Sequence, residues 1–172
     1  MLKFTGSLII VGTMTVLGFI FAEGYIGRCR FLKVWLFILD ILKTEIYYHT
    51  QMLPDIFEKI TTLISDSALI KAFHELAESV TIGSELDISR AWENFLNKST
   101  FNKIHPHDLS VLQELGTFIG STDRQDQMQR IESSRERLKL NLEQAEIARN
   151  KHVGIYRYLG FALGVMLVLW IV

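Results

Sequence analysis

The sequence predicts an all-α protein in which apolar helices at both ends of the chain flank a bundle of about six helices. Three observations carry this. Charge is absent from Phe4–Ala22 and from Tyr158–Val172 but dense between them. In the middle, apolar residues recur at spacings of three and four, the period of an amphipathic helix. No stretch there alternates with period two between turn residues, which disfavours strands. The expected divisions are residues 1–23, a first transmembrane helix; 24–153, a helical domain; and 154–172, a second transmembrane helix.

Phe4–Ala22 is 19 residues without a charge, about 28 Å of helix and close to the hydrocarbon thickness of a bilayer. A cleaved signal peptide fits less well: its apolar region is usually shorter, and Ile20-Phe21-Ala22 places a bulky residue where the cleavage site wants a small one. Tyr158–Val172 is shorter, 15 residues. Arg157 can reach back to the headgroups, and Tyr156, Tyr158 and Trp170 suit the two interfaces; a buried core helix is the competing reading. Small residues recur one turn apart in both segments, Gly160 with Gly164 and Gly18 with Ala22, a pattern that lets helix backbones approach closely in lipid. These four are the candidate packing residues, against each other or against a partner's helices.

The flanks give the orientation. Arg28, Arg30 and Lys33 follow the first segment, Arg149, Lys151 and Arg157 precede the end of the second, and only Lys3 lies outside. The positive-inside rule therefore places the middle in the cytoplasm and both termini on the opposite side.

Leu32, Trp35, Leu39, Leu42 and Ile46 form one apolar row, with Phe31, Val34, Ile38 and Ile41 beside it, so the helix from Arg28 to Tyr48 must be covered on more than one side. Lys33 and Asp40 argue against a third span. The next helix begins between Thr50 and Leu53, with Pro54 in its first turn, and buries Ile56, Phe57, Ile60, Leu63 and Ile64. Ser65–Ser67 punctuates, and residues 68–80 follow with Leu69, Phe73, Leu76 and Val80 inward. Gly83 and Ser84 break the pattern. Asp87 is the expected N-cap of a helix whose Ala91, Trp92, Phe95 and Leu96 point inward. His105–Asp108 opens the next helix, striped by Leu109, Leu112, Leu115 and Ile119 and closed by Gly116 and Gly120. The last helix starts after Ser121 or Thr122 and meets no Pro or Gly until Gly154, so it is expected to continue into the second span. Its stripe of Met128, Ile131, Leu138, Leu142, Ala145 and His152 falls near heptad spacing, a narrow packing seam with charges elsewhere. Asp126–Arg130 and Glu146–Arg149 are placed to pair along it.

Catalytic chemistry finds no support. A net charge of −1 argues against nucleic-acid binding, and a lone Cys29 makes no internal disulfide. No phosphate-binding glycine loop, dinucleotide fingerprint or nucleophile elbow is present. His105, His107 and Asp108 read as a helix-opening loop rather than a metal site, since spaced Cys or paired His ligands are lacking. Asp40 and Glu45 lie beside apolar rows, where an ion pair or partner contact is the commoner role. Glu132, Glu136 and Glu143 read as a solvated helix face. The expectation is a non-enzyme with no cofactor and no metal.

Four stretches, in order, resemble the stage III sporulation protein AB family of endospore-forming bacteria: Glu45-Ile46-Tyr47-Tyr48 with Thr50; Ala91-Trp92; Leu112 to Glu132, LQELGTFIGSTDRQDQMQRIE; and Tyr156 to Gly160 entering the last segment. Two departures stand out. Gln51 takes the place after the threonine where the family often has proline, and Thr122 intervenes before Asp123. The resemblance implies a domain similar to the cytoplasmic domains of type II secretion and type IV pilus platform proteins. It also implies a role in the channel complex linking mother cell and forespore, with the chain in the outer forespore membrane and its domain in the mother-cell cytoplasm. The implied partners are a secretion-type cytosolic ATPase and the complex's other membrane subunits, with self-association left open. Candidate partner-contacting residues are Glu45, Tyr47, Asp123 and Arg124. A membrane-anchored sensor or adaptor binding a small ligand or regulator is the alternative, favoured by a pocket lined by Glu45, Tyr47 or Tyr48.

Overall fold

The computed structural model describes residues 2–48, 52–80, 85–98, 101, 104–120 and 123–171. These contain six α-helices and no strand: α1 (Leu2–Tyr48), α2 (Leu53–Leu63), α3 (Ser67–Val80), α4 (Glu85–Leu96), α5 (Pro106–Phe118) and α6 (Arg124–Ile171). Expectations at Thr50, Gly83, Ser84, Ser121 and Thr122 fall outside the described residues. α1 and α6 each contain a stretch long and apolar enough to cross a membrane. The chain separates into two compact units, one formed by Met1–Phe31 with Leu142–Val172, the other by Leu32–Asn141.

α1 is a single helix, where the sequence divides into a first transmembrane helix and a separate domain helix from Arg28. No Pro falls between Leu2 and Tyr48, and the helix carries through Gly24 and Gly27 without interruption. α6 likewise runs unbroken through Gly154.

In the Leu32–Asn141 unit, α2 packs on α3, α3 on α4 and α4 on α5 in chain order. The apolar row of α1 is closed in on all sides, with Leu32, Trp35, Leu39 and Leu42 fully buried. Trp35 is the hub: its ring lies 5.9 Å from Phe73, 6.2 Å from Trp92 and 6.3 Å from both Phe95 and Phe101. Such offset and edge-on aromatic contacts add about 0.5–1.5 kcal/mol per pair to the area they bury.

α4 grips α5 at a glycine. The Trp92 indole N–H donates to the Leu112 carbonyl at 2.7 Å, and the Ser89 hydroxyl donates to the Gly116 carbonyl at 2.9 Å. A Cβ on Gly116 would lie 2.7 Å from Trp92 Cγ. Gly116 therefore sits inside α5 and makes room for the indole, rather than ending the helix as its residue type suggested. Gly120 does follow the helix, with a φ of +92° that only glycine adopts without strain.

Other differences are local. Leu63, the last residue of α2, is exposed rather than buried. α4 starts at Glu85, two positions before the expected cap at Asp87, whose side chain is outside the described set. Asp108, read from the sequence as part of a helix-opening loop, is fully buried and accepts from Asn141 Nδ2 at 2.9 Å. α3 is capped by Asp66, whose Oδ1 accepts from the Ala68 and Leu69 amides at 2.9 and 3.1 Å.

α6 buries Gln127, Ile131, Ser134, Leu138 and Ala145, alternating spacings of four and three until Leu138 and then one full heptad. It runs antiparallel to α1 through a charged network: Lys43 donates to Glu132, and Arg135 to Asp40 at 2.6 Å. Asp126 and Arg130 pair at 2.8 Å as expected, whereas Arg149 turns to Asn150 Oδ1 at 3.0 Å instead of Glu146. The Lys43 hydrogen bond, with the charges of Lys43 and Arg135, holds the Glu132 carboxyl below the usual carboxylate range. A depressed folded pKa gives stability that is complete above the unfolded value and lost as pH falls through the folded one. Because Glu132 is 37% exposed, solvent limits this to about 0.2–1 kcal/mol. Lys43→Gln is therefore expected to flatten the loss of stability below about pH 4.5, as read from denaturant midpoints at pH 7 and pH 3.5.

In the Met1–Phe31 and Leu142–Val172 unit, two antiparallel helix segments meet along small residues. A Cβ on Gly18 would stand 2.6 Å from the Tyr156 carbonyl oxygen and 3.1 Å from Gly160 Cα. One on Gly160 would stand 2.7 Å from the Met14 oxygen, and one on Gly164 2.9 Å from Val11 Cα. Ala22 is buried in the same seam. Above it Tyr25 stacks against His152 at 5.3 Å and Tyr156 at 5.8 Å. The outward side chains, including Leu8, Phe161 and Trp170, are exposed and apolar, as a lipid-facing surface requires.

Candidate partner-binding end of the helical unit

α1 ends at Tyr48, and α6 begins at Arg124. The antiparallel register set by Asp40–Arg135 and Lys43–Glu132, continued at about 1.5 Å per residue, brings these two termini to the same end of the Leu32–Asn141 unit. Leu53, at the start of α2, joins them, because a Cβ on Gly120 would meet its Cδ1 at 3.2 Å. Tyr47 and Arg124, far apart in sequence, thus lie toward the same end of the unit.

Tyr47 and Tyr48 are exposed by 51% and 73%, their rings edge-on at 4.5 Å. Met52, just before α2, is also exposed. Asp123 and Arg124 are exposed at the start of α6, where Asp123 Oδ1 accepts from the Gln125 amide at 2.9 Å. Asp123 therefore caps the helix, a role that favours a carboxylate at this position. Glu45 is different. It is buried, and its Oε1 accepts from Lys59 Nζ on α2 at 2.7 Å. It braces α1 against α2 beneath the exposed rings instead of presenting a charge to solvent. Tyr48 and Met52 are additions to the candidate set; the apolar character of Met52, adjacent to the expected helix start, was the available signal.

Among the described residues no three His, Cys, Asp or Glu side chains gather as metal ligands. The His105 and His107 rings stack at 5.4 Å on the exposed opening of α5. The buried acids Glu45 and Asp108 are engaged by Lys59 and Asn141. What this end of the unit offers chemically is an aromatic and apolar patch beside a cap carboxylate and a guanidinium, the composition of a protein contact.

The family of stage III sporulation protein AB matches residues 3–172. The chain belongs to that family. It is 30% identical over 173 residues to stage III sporulation protein AB of Bacillus subtilis (strain 168), covering 98% of each chain. No solved structure matches the fold. In this family member the two apolar stretches and the helical unit lie within the matched range, and so do all four stretches that suggested the resemblance.

Proposed function

We propose that the chain is a non-catalytic platform subunit of the channel complex between mother cell and forespore, linking a secretion-type cytosolic ATPase to the complex's membrane components. The observation that carries this reading is the exposure of Tyr47, Tyr48, Met52, Asp123 and Arg124 on a tightly packed helical unit whose α1–α6 register turns the end of α1 and the start of α6 the same way. Aromatic residues and arginine are the side chains that most often anchor protein contacts. The charged flanks support a domain in the mother-cell cytoplasm, with both termini across the outer forespore membrane. Burial and ion pairing of Glu45, with Tyr47 and Tyr48 facing outward, speak for this reading over a ligand-binding sensor.

Purification of the full chain from sporulating cells in mild detergent is expected to recover the ATPase. Tyr47→Ala combined with Tyr48→Ala is expected to cut that recovery by on the order of tenfold while leaving the helical content unchanged. Deleting the gene is expected to abolish heat-resistant spores. A chain that purifies alone with a tightly held small molecule would replace the platform reading with the sensor reading, and digestion of the helical unit by protease added outside intact cells would reverse the orientation.

A further inference from the structure

Arg157 is a cation placed among apolar residues, between Tyr156 and Tyr158, in the unit formed by the chain's two ends. The register of that unit sets Gly18 beside Gly160 and stacks Phe21 on Tyr156 at 6.0 Å. Arg157 is therefore level with the last turn of the uncharged segment Phe4–Ala22. Its guanidinium lies 5.0 Å over the Phe19 ring, which is itself about half exposed. Among the described residues this ring is its only partner. The ring face holds the cation in place but accepts none of its five in-plane N–H donors. With its side chain exposed, the guanidinium keeps its donor edge open to oxygen acceptors outside the protein, water among them. If α1 and α6 cross the bilayer, the acceptor at that depth is a headgroup phosphate, which the planar guanidinium fork fits in bidentate fashion.

Surrounding charge selects among lipids. The edge of the unit away from Lys3 carries Arg28, Arg30, Arg149, Lys151 and Arg157 against Glu23, Glu143 and Glu146, a surplus of cations that favours a headgroup of net negative charge. Lys151 is exposed on the same helix, about 9 Å further out, where it meets the diffuse field of the surface and not a particular lipid.

We propose that Arg157, steadied on Phe19, binds the phosphate of an anionic phospholipid at the charged edge of the paired apolar helices. The proposal rests on the membrane-spanning reading, so its test reads both. The full chain is reconstituted into phosphatidylcholine vesicles, washed with alkaline carbonate, and challenged with spin-labelled phosphatidylglycerol or spin-labelled phosphatidylcholine. The expected result is a preference for phosphatidylglycerol that falls about fivefold in Arg157→Gln, the factor carried by one cation near an anionic surface. Lys151→Gln is expected to reduce it by no more than about twofold, and Phe19→Leu to weaken it while charge is unchanged. A retained chain with no preference, or equal losses in Arg157→Gln and Lys151→Gln, overturns the site while leaving the membrane reading intact. A chain lost in the carbonate wash removes both.

Discussion

Trp92→Ala is expected to destabilise the Leu32–Asn141 unit by about 3–5 kcal/mol, the range for removing a fully buried aromatic side chain. Trp92 is 1% exposed, contacts Trp35, Phe57 and Phe95, and donates to the Leu112 carbonyl. Truncation empties the junction of α4, α5 and the α1 hub, and Gly116, which has no side chain, cannot fill the space. Net stabilities of such units are about 5–15 kcal/mol, so the loss takes a large share. Trp92→Phe separates the contributions: it keeps much of the ring volume and removes the hydrogen bond, with an expected cost nearer 1–3 kcal/mol. Denaturant titration of the detergent-solubilised chain by far-ultraviolet circular dichroism reads both. A midpoint for Trp92→Ala equal to that of the parent would show that the indole does not organise this core.

The same junction shows what could and could not be read in the sequence. The inward face of α4 was legible because Trp92, Phe95 and Leu96 obey the helical period, and the α6 seam was legible for the same reason at Ile131 and Leu138. Gly116 was not. Glycine serves equally as a helix stop and as a space for a neighbour, and the choice depends on Trp92, which periodicity cannot place opposite it. Leu63 failed for a related cause: it has the right residue type and spacing, but α2 ends there, and Leu63 stays exposed while Ile60 and Ile64 take the buried side.

Buried carboxylates were the least legible feature. Asp108 looks like a surface residue by type, and Glu45 offered only an ion-pair or contact role beside apolar rows; each is buried with a donor from another helix, Asn141 and Lys59 respectively, whose identity the sequence did not give. Burial of a charge is tolerable only with such a partner, and the partner's position is a tertiary fact. The candidate binding end has the same character. Tyr47 and Arg124 were both singled out from sequence, but their convergence follows from the Asp40–Arg135 and Lys43–Glu132 register between helices that close opposite halves of the chain.

Gly160→Val is expected to separate the paired apolar segments. The Gly160 contacts are backbone atoms, the Met14 carbonyl oxygen at 2.7 Å and Gly18 Cα at 3.0 Å from an added Cβ. A side-chain neighbour can rotate away, but a helix backbone cannot, so both helices must move apart along the seam. Overpacking of this kind typically costs about 1–3 kcal/mol in a packed interior, and in lipid no hydrophobic force between helices restores the contact. The readout is a disulfide across the seam. A Cβ on Gly164 lies 3.3 Å from Met14 Cβ, close to the roughly 3.5–4.5 Å that a disulfide spans. In a Cys29→Ser background, Met14→Cys with Gly164→Cys is expected to oxidise within one chain, giving a faster-migrating monomer on non-reducing gels. Adding Gly160→Val is expected to remove most of that product, whereas Gly154→Val, at a glycine with open space around its Cβ position, leaves it unchanged. Cross-linking that survives Gly160→Val would mean the two helices are held together by contacts elsewhere, and that the small-residue seam does not set their approach.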